Sequence, residues 1–457
     1  MNSRLKFILL VQYFRTHPWK SATRWLLILA PFFFASYQLA NWITSLRPDV
    51  PSIVFSWEHH VPFLAWTIVP YWSTDLLYAV SLFVCASLSE LETHARRLLL
   101  VQCLSVAGFL AAPLRFSFPV PPTAGFFGWA FGALYQFDQP FNQAPSLHIG
   151  ITVVLWALYS RHLRGPALWA MRGWMILVAV STLTTYQHHF IDLPTGLWVG
   201  LVSIVVFPFE KTKLWPRSGD PYRLRIALRY LAVGVLLIIL AGHLQNVFWL
   251  LLWPGAAMVL IAAVYVADRP DLFGKWEGRL PAAVVLLAGP YLAGAWLNYR
   301  RMARHEHAFD EIADGVRVGR LLGPAEHANA SIVDLTAELS FDPAGVAYRS
   351  VPMLDRLTPD LRQLAAAVQA IDDLSTARPT LVCCAGGYSR SATTVAAWLL
   401  AGGKAATVDE AIAQIRARRP HIVLAPADYA RLEEWNQAGL RASAPLPDIG
   451  NQRESIQ

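Results

Sequence analysis

The sequence predicts a multi-span α-helical membrane domain followed by a soluble α/β domain. Of its 457 residues, 55% are hydrophobic and only 15% are charged, whereas soluble proteins carry about 25% charged residues. Long apolar stretches fill residues 1–299 and are missing from residues 300–457. This composition excludes a disordered chain and a wholly soluble enzyme, and four cysteines are too few for a disulfide-stapled scaffold.

Nine stretches in the first part are credible membrane helices, because a helix needs about 20 apolar residues to cross the hydrocarbon core. They cover residues 25–45, 66–88, 98–114, 147–160, 169–187, 193–209, 228–242, 247–266 and 280–297. We therefore predict a basic N-terminal segment (1–24), a membrane-embedded domain (25–210, core 65–210), three additional membrane helices (211–299), a linker (300–307), an α/β domain (308–442) and a disordered tail (443–457).

The loops between these stretches alternate in charge. Residues 89–97, 161–172 and 210–229 carry arginine and lysine, whereas the intervening loops are poor in both. The positive-inside rule therefore places the basic loops and the N-terminus in the cytoplasm. The net charge of +7 suits an anionic membrane surface better than nucleic acid. Nine spans place residues 300–457 outside, whereas the arginines just after the last span favour the inside, so the sequence leaves this side open.

The second part alternates strand-like and helical runs. The strand-like runs include Ser331–Leu335 and Thr380–Cys383, and the helical runs include Pro359–Leu374, Ser391–Leu400 and Val408–Arg416. This succession predicts a mainly parallel sheet with helical cover.

Three polar features fall on the predicted outer side of the membrane domain. They are Pro145-Ser146-Leu147-His148, the run Ser181–Asp192, and Arg115. One histidine of this kind is more often an interfacial or capping residue. Ionisable groups at membrane depth are costly, however, so a group of them indicates a functional site.

His188 and Asp192 are four residues apart, which places them on one face of a helical turn. The carboxylate can hold one imidazole nitrogen as N–H and leave the other free to attack phosphorus. His148 can then protonate the leaving oxygen, and Arg115 can bind a phosphate through two N–H donors. His189 is the alternative nucleophile, but the three-residue gap to Asp192 favours His188.

These motifs resemble those of the type-2 phosphatidic acid phosphatase superfamily, the lipid phosphate phosphatases. The family motifs Pro-Ser-Gly-His and Ser-Arg-x5-His-x3-Asp align with Pro145–His148 and with Ser181, His188 and Asp192. The Pro-Ser-Leu-His form is more similar to the sphingomyelin synthase branch. The resemblance implies that His188 is the nucleophile, Asp192 orients it, His148 is the general acid, and Ser146 and Arg115 contact the phosphate. Thr182 replaces the motif arginine, which favours a phosphodiester head group over a doubly charged monoester.

The most specific string in the chain runs from Val382 to Ser391, between a strand-like run and a helix. A strand, a glycine loop and a helix N-terminus together form an anion-binding nest. Cys384 is the predicted nucleophile, since a field that binds phosphate also stabilises a thiolate. The predicted phosphate-binding residues are Ala385, Gly386, Gly387, Tyr388, Ser389, Arg390 and Ser391. Cys383 fits an ordinary buried thiol; a redox pair with Cys384 is the alternative, but adjacent cysteines form strained disulfides.

This string resembles the cysteine-based dual-specificity phosphatases, whose signature is His-Cys-x-x-Gly-x-x-Arg-Ser/Thr, with Cys383 in place of the histidine. The resemblance spans roughly residues 308–438 and implies an upstream aspartate as general acid. Asp355 matches that position in Ser350–Asp355, and Asp342 and Asp360 are the competitors. The Val-Pro-x-x-Asp loop is similar to that of the mitochondrial phosphatidylglycerophosphate phosphatase branch, which acts on lipid phosphates.

The order of the two domains resembles a bacterial inner-membrane fusion family. We therefore predict a multi-pass enzyme of phospholipid metabolism in the bacterial inner (plasma) membrane, with a histidine-based lipid phosphate site and a cysteine-based phosphomonoesterase site. Its predicted substrates are membrane phospholipids or lipid phosphates, without a metal or other cofactor and without nucleic acid. The alternatives are a membrane-tethered protein phosphatase acting on phosphoproteins and a non-catalytic phosphate-binding adaptor.

Overall fold

The computed structural model of the chain describes residues 17–209, 217–304, 307–321, 330–343 and 345–439. The chain divides into two compact units, Met1–Lys211 and Thr212–Gln457. The predicted disordered tail (443–457) and residues 1–16 of the basic N-terminal segment lie outside the described residues.

The described part of the first unit is helical. Its helices are α1 (Trp19–Ser45), α2 (Ile68–Val84), α3 (Leu88–Ala111), α4 (Gly125–Leu134), α5 (Leu147–His162), α6 (Gly165–Thr184) and α7 (Asp192–Val206). Buried side chains from α1 to α3 and from α5 to α7 form one apolar core. The six apolar stretches predicted in this unit are all helical, and α4 adds a helix within residues 115–146, which the sequence analysis treated as a loop.

Helix α3 begins earlier than predicted, because residues 89–97 are helical and do not form a loop. Ser87 caps the helix by accepting a hydrogen bond from the Glu90 N–H at 3.2 Å. Arg97 is 2% exposed, and its Nε donates to the Phe207 carbonyl at 2.7 Å. The arginine that was assigned to the loop is therefore buried, and its Nε is hydrogen-bonded inside the protein.

The second unit begins with three apolar helices in its described part, namely α8 (Tyr222–Leu244), α9 (Leu252–Ala267) and α10 (Ala282–Ala303). Helices α8 and α9 approach closely, since a Cβ on Gly234 would lie 2.8 Å from the Gly255 carbonyl oxygen. Helix α10 continues to Ala303, so the first part of the predicted linker (300–307) is helical.

Among the described residues, five helices are long and apolar enough to cross a membrane, which suggests membrane association. They are Trp19–Ser45, Gly165–Thr184, Tyr222–Leu244, Asn246–Ala267 and Ala282–Ala303. The other four predicted stretches are helical too, but α2, α5 and α7 have only 17, 16 and 15 residues. Helix α3 is long enough but carries charged residues in its first half.

The second unit continues with a five-stranded sheet and its covering helices. The strands are β1 (Phe309–Ala313), β2 (Val316–Arg320), β3 (Ser331–Thr336), β4 (Tyr348–Met353) and β5 (Thr380–Cys384), and the helices are α11 (Leu361–Ser375), α12 (Arg390–Ala401), α13 (Val408–Arg418) and α14 (Pro426–Gln437). The strand order is β1-β2-β5-β3-β4, and every neighbouring pair is parallel except β1 and β2. This arrangement confirms the predicted α/β domain with a mainly parallel sheet.

Strand β5 is the central strand of the sheet and leads into the loop that carries the candidate site. Strand β5 is central and all of its residues are buried, as expected for a strand covered on both faces. Helix α11 buries Leu364, Val368 and Ile371, which share one helical face, in the core beside the sheet. Because this loop follows the C-terminal end of β5, it lies at the carboxyl edge of the parallel strands, where ligands bind in α/β folds.

A buried ion pair connects the α9–α10 segment to the sheet. Lys275 contacts Asp334 of β3, and their side chains are 1% and 0% exposed. Lys275 also donates to the Thr336 carbonyl at 3.0 Å, and the Tyr348 hydroxyl donates to Asp334 at 2.8 Å. Because buried charges require paired, hydrogen-bonded partners, this contact fixes the apolar helices to the α/β domain within the second unit.

Candidate active sites

The loop between β5 and α12 is the segment that the sequence predicts to bind phosphate. Gly387 has a φ of +74°, and a Cβ on it would lie 2.5 Å from the Gly319 backbone. No other residue fits there without strain. A Cβ on Gly386 would lie 2.1 Å from Cε of Met302 in α10, so this glycine leaves room for the helix.

Two hydrogen-bonding groups contact the Cys384 sulfur, which is at the C-terminal end of β5. The side chain is buried, the Gly387 N–H donates to Sγ at 3.2 Å, and the Ser391 Oγ lies 3.4 Å from Sγ. The Gly387 N–H and the N-terminus of α12 both direct the positive ends of their dipoles toward the sulfur. The geometry suits a nucleophilic sulfur.

The neighbouring thiol of Cys383 has the opposite environment. Successive strand residues point to opposite faces, and Cys383 Sγ donates to the Val333 carbonyl at 3.6 Å. Burial raises the pKa of the Cys383 thiol well above its ordinary value, and the charge of Asp334 and the neighbouring Cys384 raise it further. Cys383 therefore stays protonated at neutral pH, and both cysteines are free thiols.

Arg390 is buried at the start of α12 and is held by two carboxylates. Its Nη2 lies 3.0 Å from Glu338 and 2.9 Å from Asp355, and Nη1 donates to the Met353 carbonyl at 2.9 Å. Burial alone lowers the pKa of Arg390, but Glu338, Asp355 and Cys384 together raise it well above its ordinary value. The guanidinium is thus permanently charged and oriented. Glu338 was not identified from the sequence, because no motif links it to Arg390.

The three carboxylates considered as general acid lie in different places. The Asp355 side chain is 44% exposed and contacts Arg390. Asp342 pairs with Arg279 at 3.6 Å on the surface. Asp360 caps α11, where it accepts a backbone N–H at 2.7 Å. Of these three, only Asp355 contacts the arginine of the phosphate loop.

Arg419 holds the backbone of the phosphate loop through hydrogen bonds to two of its carbonyl groups. Its Nε donates to the Gly387 carbonyl at 2.8 Å, and Nη2 donates to the Gly386 carbonyl at 3.2 Å. With these carbonyls turned toward Arg419, the backbone of the loop is fixed before any ligand binds. The remaining predicted phosphate-binding residues, Ala385, Tyr388 and Ser389, are partly exposed.

The first unit contains a separate cavity of about 280 Å³. Its described lining residues are Tyr37, Tyr71, Phe116, Phe118, Val120, Tyr135, Asp138, Gln139, Pro140, Asn142, Gln143, Tyr186, Gln187 and His188. None of these described residues is lysine or arginine, so the cavity is aromatic and polar without a fixed cation.

His188 borders this cavity and forms the pair predicted from the sequence. Its Nδ1 lies 3.0 Å from the carboxylate of Asp192, which is fully buried. Its Nε2 lies 3.3 Å from the hydroxyl of Ser146 at the start of α5. The carboxylate thus orients the ring and directs Nε2 toward Ser146.

His189 has both ring nitrogens engaged elsewhere. The Ser117 N–H donates to its Nε2 at 3.2 Å, so Nδ1 carries the proton and donates to Glu58 at 3.0 Å. Burial raises the pKa of Glu58, but hydrogen bonds from His189 and two backbone N–H groups outweigh it and lower the pKa. His189 is not among the described residues that line the 280 Å³ cavity, whereas His188 is. Glu58 escaped the sequence analysis because it lies 131 residues from its partner.

The predicted residues His148 and Arg115 are not among the described residues that line the cavity, whereas Asp138, which was not predicted, is. The His148 ring stacks on Tyr71 at 4.0 Å and lies 6.0 Å from the His188 ring. Arg115 is exposed, so the structure does not bring the predicted phosphate clamp to the cavity. Asp138 does line it, and burial raises the pKa of Asp138 to about 6 against the hydrogen bond from Tyr37.

The mainly parallel sheet places a cysteine, a glycine loop and a buried arginine at the N-terminus of α12. This arrangement defines the class of cysteine-dependent phosphatases. Residues 329–438 match the family model described as "Dual specificity phosphatase, catalytic domain". This match confirms the predicted phosphatase domain, and Asp355, Cys384 and Arg390 all lie within it. The match does not extend to the first unit, where the resemblance to lipid phosphate phosphatases stays a prediction.

Solved phosphatase structures are similar to part of the chain. PTPMT1 in complex with PI(5)P is 23% identical, with 29% of this chain and 97% of that chain covered and a TM-score of 0.26. Tk-PTP in the active form is 24% identical, with 28% and 97% covered and a TM-score of 0.27. The human tyrosine phosphatase-like serine/threonine/tyrosine-interacting protein is 18% identical, with 28% and 96% covered and a TM-score of 0.27. No curated protein matches the chain.

Proposed function

We propose that the chain is a membrane-bound phosphatase of phospholipid metabolism whose Cys384 site hydrolyses a phosphomonoester on a lipid. One observation carries the lipid assignment: Met302 of α10 lies against Gly386 of the phosphate loop. Helix α10 is long and apolar enough to cross a membrane. The end of a membrane-crossing helix lies at the membrane surface. A phosphate loop packed against that end would therefore lie at the level of the lipid head groups and their phosphates. The proposed location is the bacterial inner (plasma) membrane.

The proposed reaction has two steps. The Cys384 thiolate attacks phosphorus, an S–P bond forms, the ester P–O bond breaks, and Asp355 gives its proton to the leaving oxygen. Arg390 and the loop N–H groups bind the phosphate oxygens and stabilise the transition state. Asp355 then takes a proton from a water molecule that attacks the phosphocysteine, which releases phosphate and restores the thiolate. Before substrate binds, the Asp355 carboxylate pairs with the Arg390 guanidinium, and the substrate phosphate would replace the carboxylate there.

The adaptor alternative rests on the missing signature histidine, which is Cys383 here. The contacts of the sulfur argue against it. Gly387 and Ser391 still surround Cys384, Arg390 is charged and oriented, and Asp355 is in place. A site that only binds phosphate has no need of this acid.

A comparison of substrates tests the proposal. The purified full chain in mixed micelles is given phosphatidylglycerophosphate, a phosphotyrosyl peptide or a soluble aryl phosphate. We expect kcat/KM for the lipid to exceed that for the peptide by about tenfold or more, because the lipid tails add binding energy beside the apolar helices. A preference for the peptide would refute the lipid assignment. Phosphate binding without turnover of any substrate would establish the adaptor.

We infer a second activity for the first unit, namely cleavage or transfer of a lipid head-group phosphate through phosphohistidine. The His188–Asp192 pair and Ser146 beside a 280 Å³ cavity support it. The described lining residues include Asp138 and neither lysine nor arginine, which favours a singly charged phosphodiester over a dianionic monoester.

A further inference from the structure

The turn that carries Asp355 is anchored to the apolar helices of the second unit. The hydroxyl of Tyr265, near the end of α9, donates to the Asp355 backbone carbonyl at 3.1 Å. Asp220, just before α8, accepts a hydrogen bond from the Thr358 N–H at 3.2 Å. Both anchors lie outside residues 329–438, the part of the chain that matches the phosphatase family.

The turn itself has a fixed backbone and a projecting carboxylate. Leu354 and Leu357 are each 4% exposed, whereas the Asp355 side chain is 44% exposed. Arg356 between them has a φ of +62°, which is rare for a residue with a side chain. Such a turn depends on contacts that hold it, and the Asp355 carbonyl is one of the places where it is held.

Tyr265 is itself immobilised by its surroundings. It is 2% exposed, and its ring lies 5.7 Å from the ring of Tyr230 in α8. The Tyr230 ring in turn lies 5.6 Å from that of Tyr291 in α10. A buried tyrosine hydroxyl requires a hydrogen-bond partner, and the Asp355 carbonyl supplies it. Three apolar helices thus fix the donor that reaches the turn.

We propose that Tyr265 is a positioning residue for Asp355, so that the apolar helices set the efficiency of acid catalysis at the Cys384 site. This inference rests on the proposed function, in which Asp355 is the general acid. Loss of the Tyr265 hydroxyl frees the backbone on which the carboxylate is mounted. Substrate phosphate still binds, because Arg390 and the phosphate loop are untouched.

The test uses Tyr265→Phe in the full chain, with Tyr230→Phe as the matched control. Two soluble substrates are compared: an alkyl phosphate, whose leaving oxygen needs a proton, and a nitrophenyl phosphate, whose leaving group needs almost none. We expect Tyr265→Phe to lower kcat for the alkyl phosphate about fivefold and kcat for the aryl phosphate less than about twofold. Tyr230→Phe is expected to change neither. Asp355→Asn serves as the reference variant, and we expect its kcat for the alkyl phosphate to fall far more than that of Tyr265→Phe.

The aryl rate also reports the folded fraction of each preparation. Equal losses on both substrates would mean that Tyr265 is only structural, and this result would overturn the proposal. In the Asp355→Asn background we expect Tyr265→Phe to cause no further loss, whereas an additional fivefold loss would contradict it. If Asp355→Asn leaves alkyl phosphate hydrolysis intact, the assigned acid is wrong and the proposed function fails at that step, whatever Tyr265 does.

Discussion

Replacement of Cys384 by serine is expected to lower kcat for phosphomonoester hydrolysis by a factor on the order of 10⁴ or more. In the proposed mechanism the Cys384 sulfur attacks phosphorus as a thiolate, whereas a serine hydroxyl in the same position stays protonated at neutral pH. Arg390 and the loop backbone remain, so the variant should still bind inorganic phosphate. Steady-state kinetics with an aryl phosphate measure the first effect, and equilibrium binding of phosphate measures the second.

Cys383→Ala is the matched control for this experiment. This thiol is adjacent in sequence, equally buried and directed at the Val333 carbonyl on the other face of β5. We expect it to retain most of the wild-type kcat. Activity that survives in Cys384→Ser, or that disappears in a folded Cys383→Ala variant, would show that the wrong sulfur has been assigned.

Replacement of His188 by alanine is expected to abolish cleavage or transfer of a lipid head group by the first unit, again by a factor on the order of 10⁴. The measurement is made in the Cys384→Ser background, so that the cysteine site does not consume the product. Head-group-labelled phospholipid in mixed micelles is the substrate, and release or transfer of the labelled group is followed. Removal of the imidazole leaves Asp192 and Ser146 without a partner that can attack phosphorus.

His60→Ala is the control for His188→Ala. His60 is exposed in the turn Ser56–His60, outside the cavity lining. We expect its activity to match that of the parent chain. Undiminished head-group cleavage in His188→Ala would remove the histidine site from the proposal and leave the cysteine site unaffected.

The cysteine loop could be predicted from the sequence because its parts are consecutive. Residues 382–391 contain the strand end, the glycine turn and the helix start, and the structure forms these elements in that order. The positive φ of Gly387 is what a glycine in such a turn indicates. Local chemistry was therefore sufficient for this part of the fold.

The supporting carboxylates could not be predicted in the same way. Glu338 reaches Arg390 across 52 residues, and Glu58 reaches His189 across 131 residues. Neither pair has a characteristic spacing, so only the packed chain reveals it. The same limit applies to Asp138 in the cavity wall and to Tyr265 beneath the Asp355 turn.

The burial of Arg97 could not be predicted from the sequence. It was expected in a loop, but it is buried in α3 with its guanidinium carbon 3.7 Å from the centroid of the Phe209 ring. Its Nε donates to the carbonyl of Phe207. A carbonyl and an aromatic ring can together replace water around an arginine, and hydropathy counting does not detect this.

A rapid-quench experiment with a lipid phosphomonoester that carries radiolabelled phosphate tests the central claim most directly. In the first turnover of the full chain, we predict label covalently bound to the peptide that contains Cys384. The label should persist in His188→Ala and be absent from Cys384→Ser. Hydrolysis that proceeds without any labelled intermediate, or a label that remains on the corresponding peptide of Cys384→Ser, would contradict a phosphocysteine mechanism.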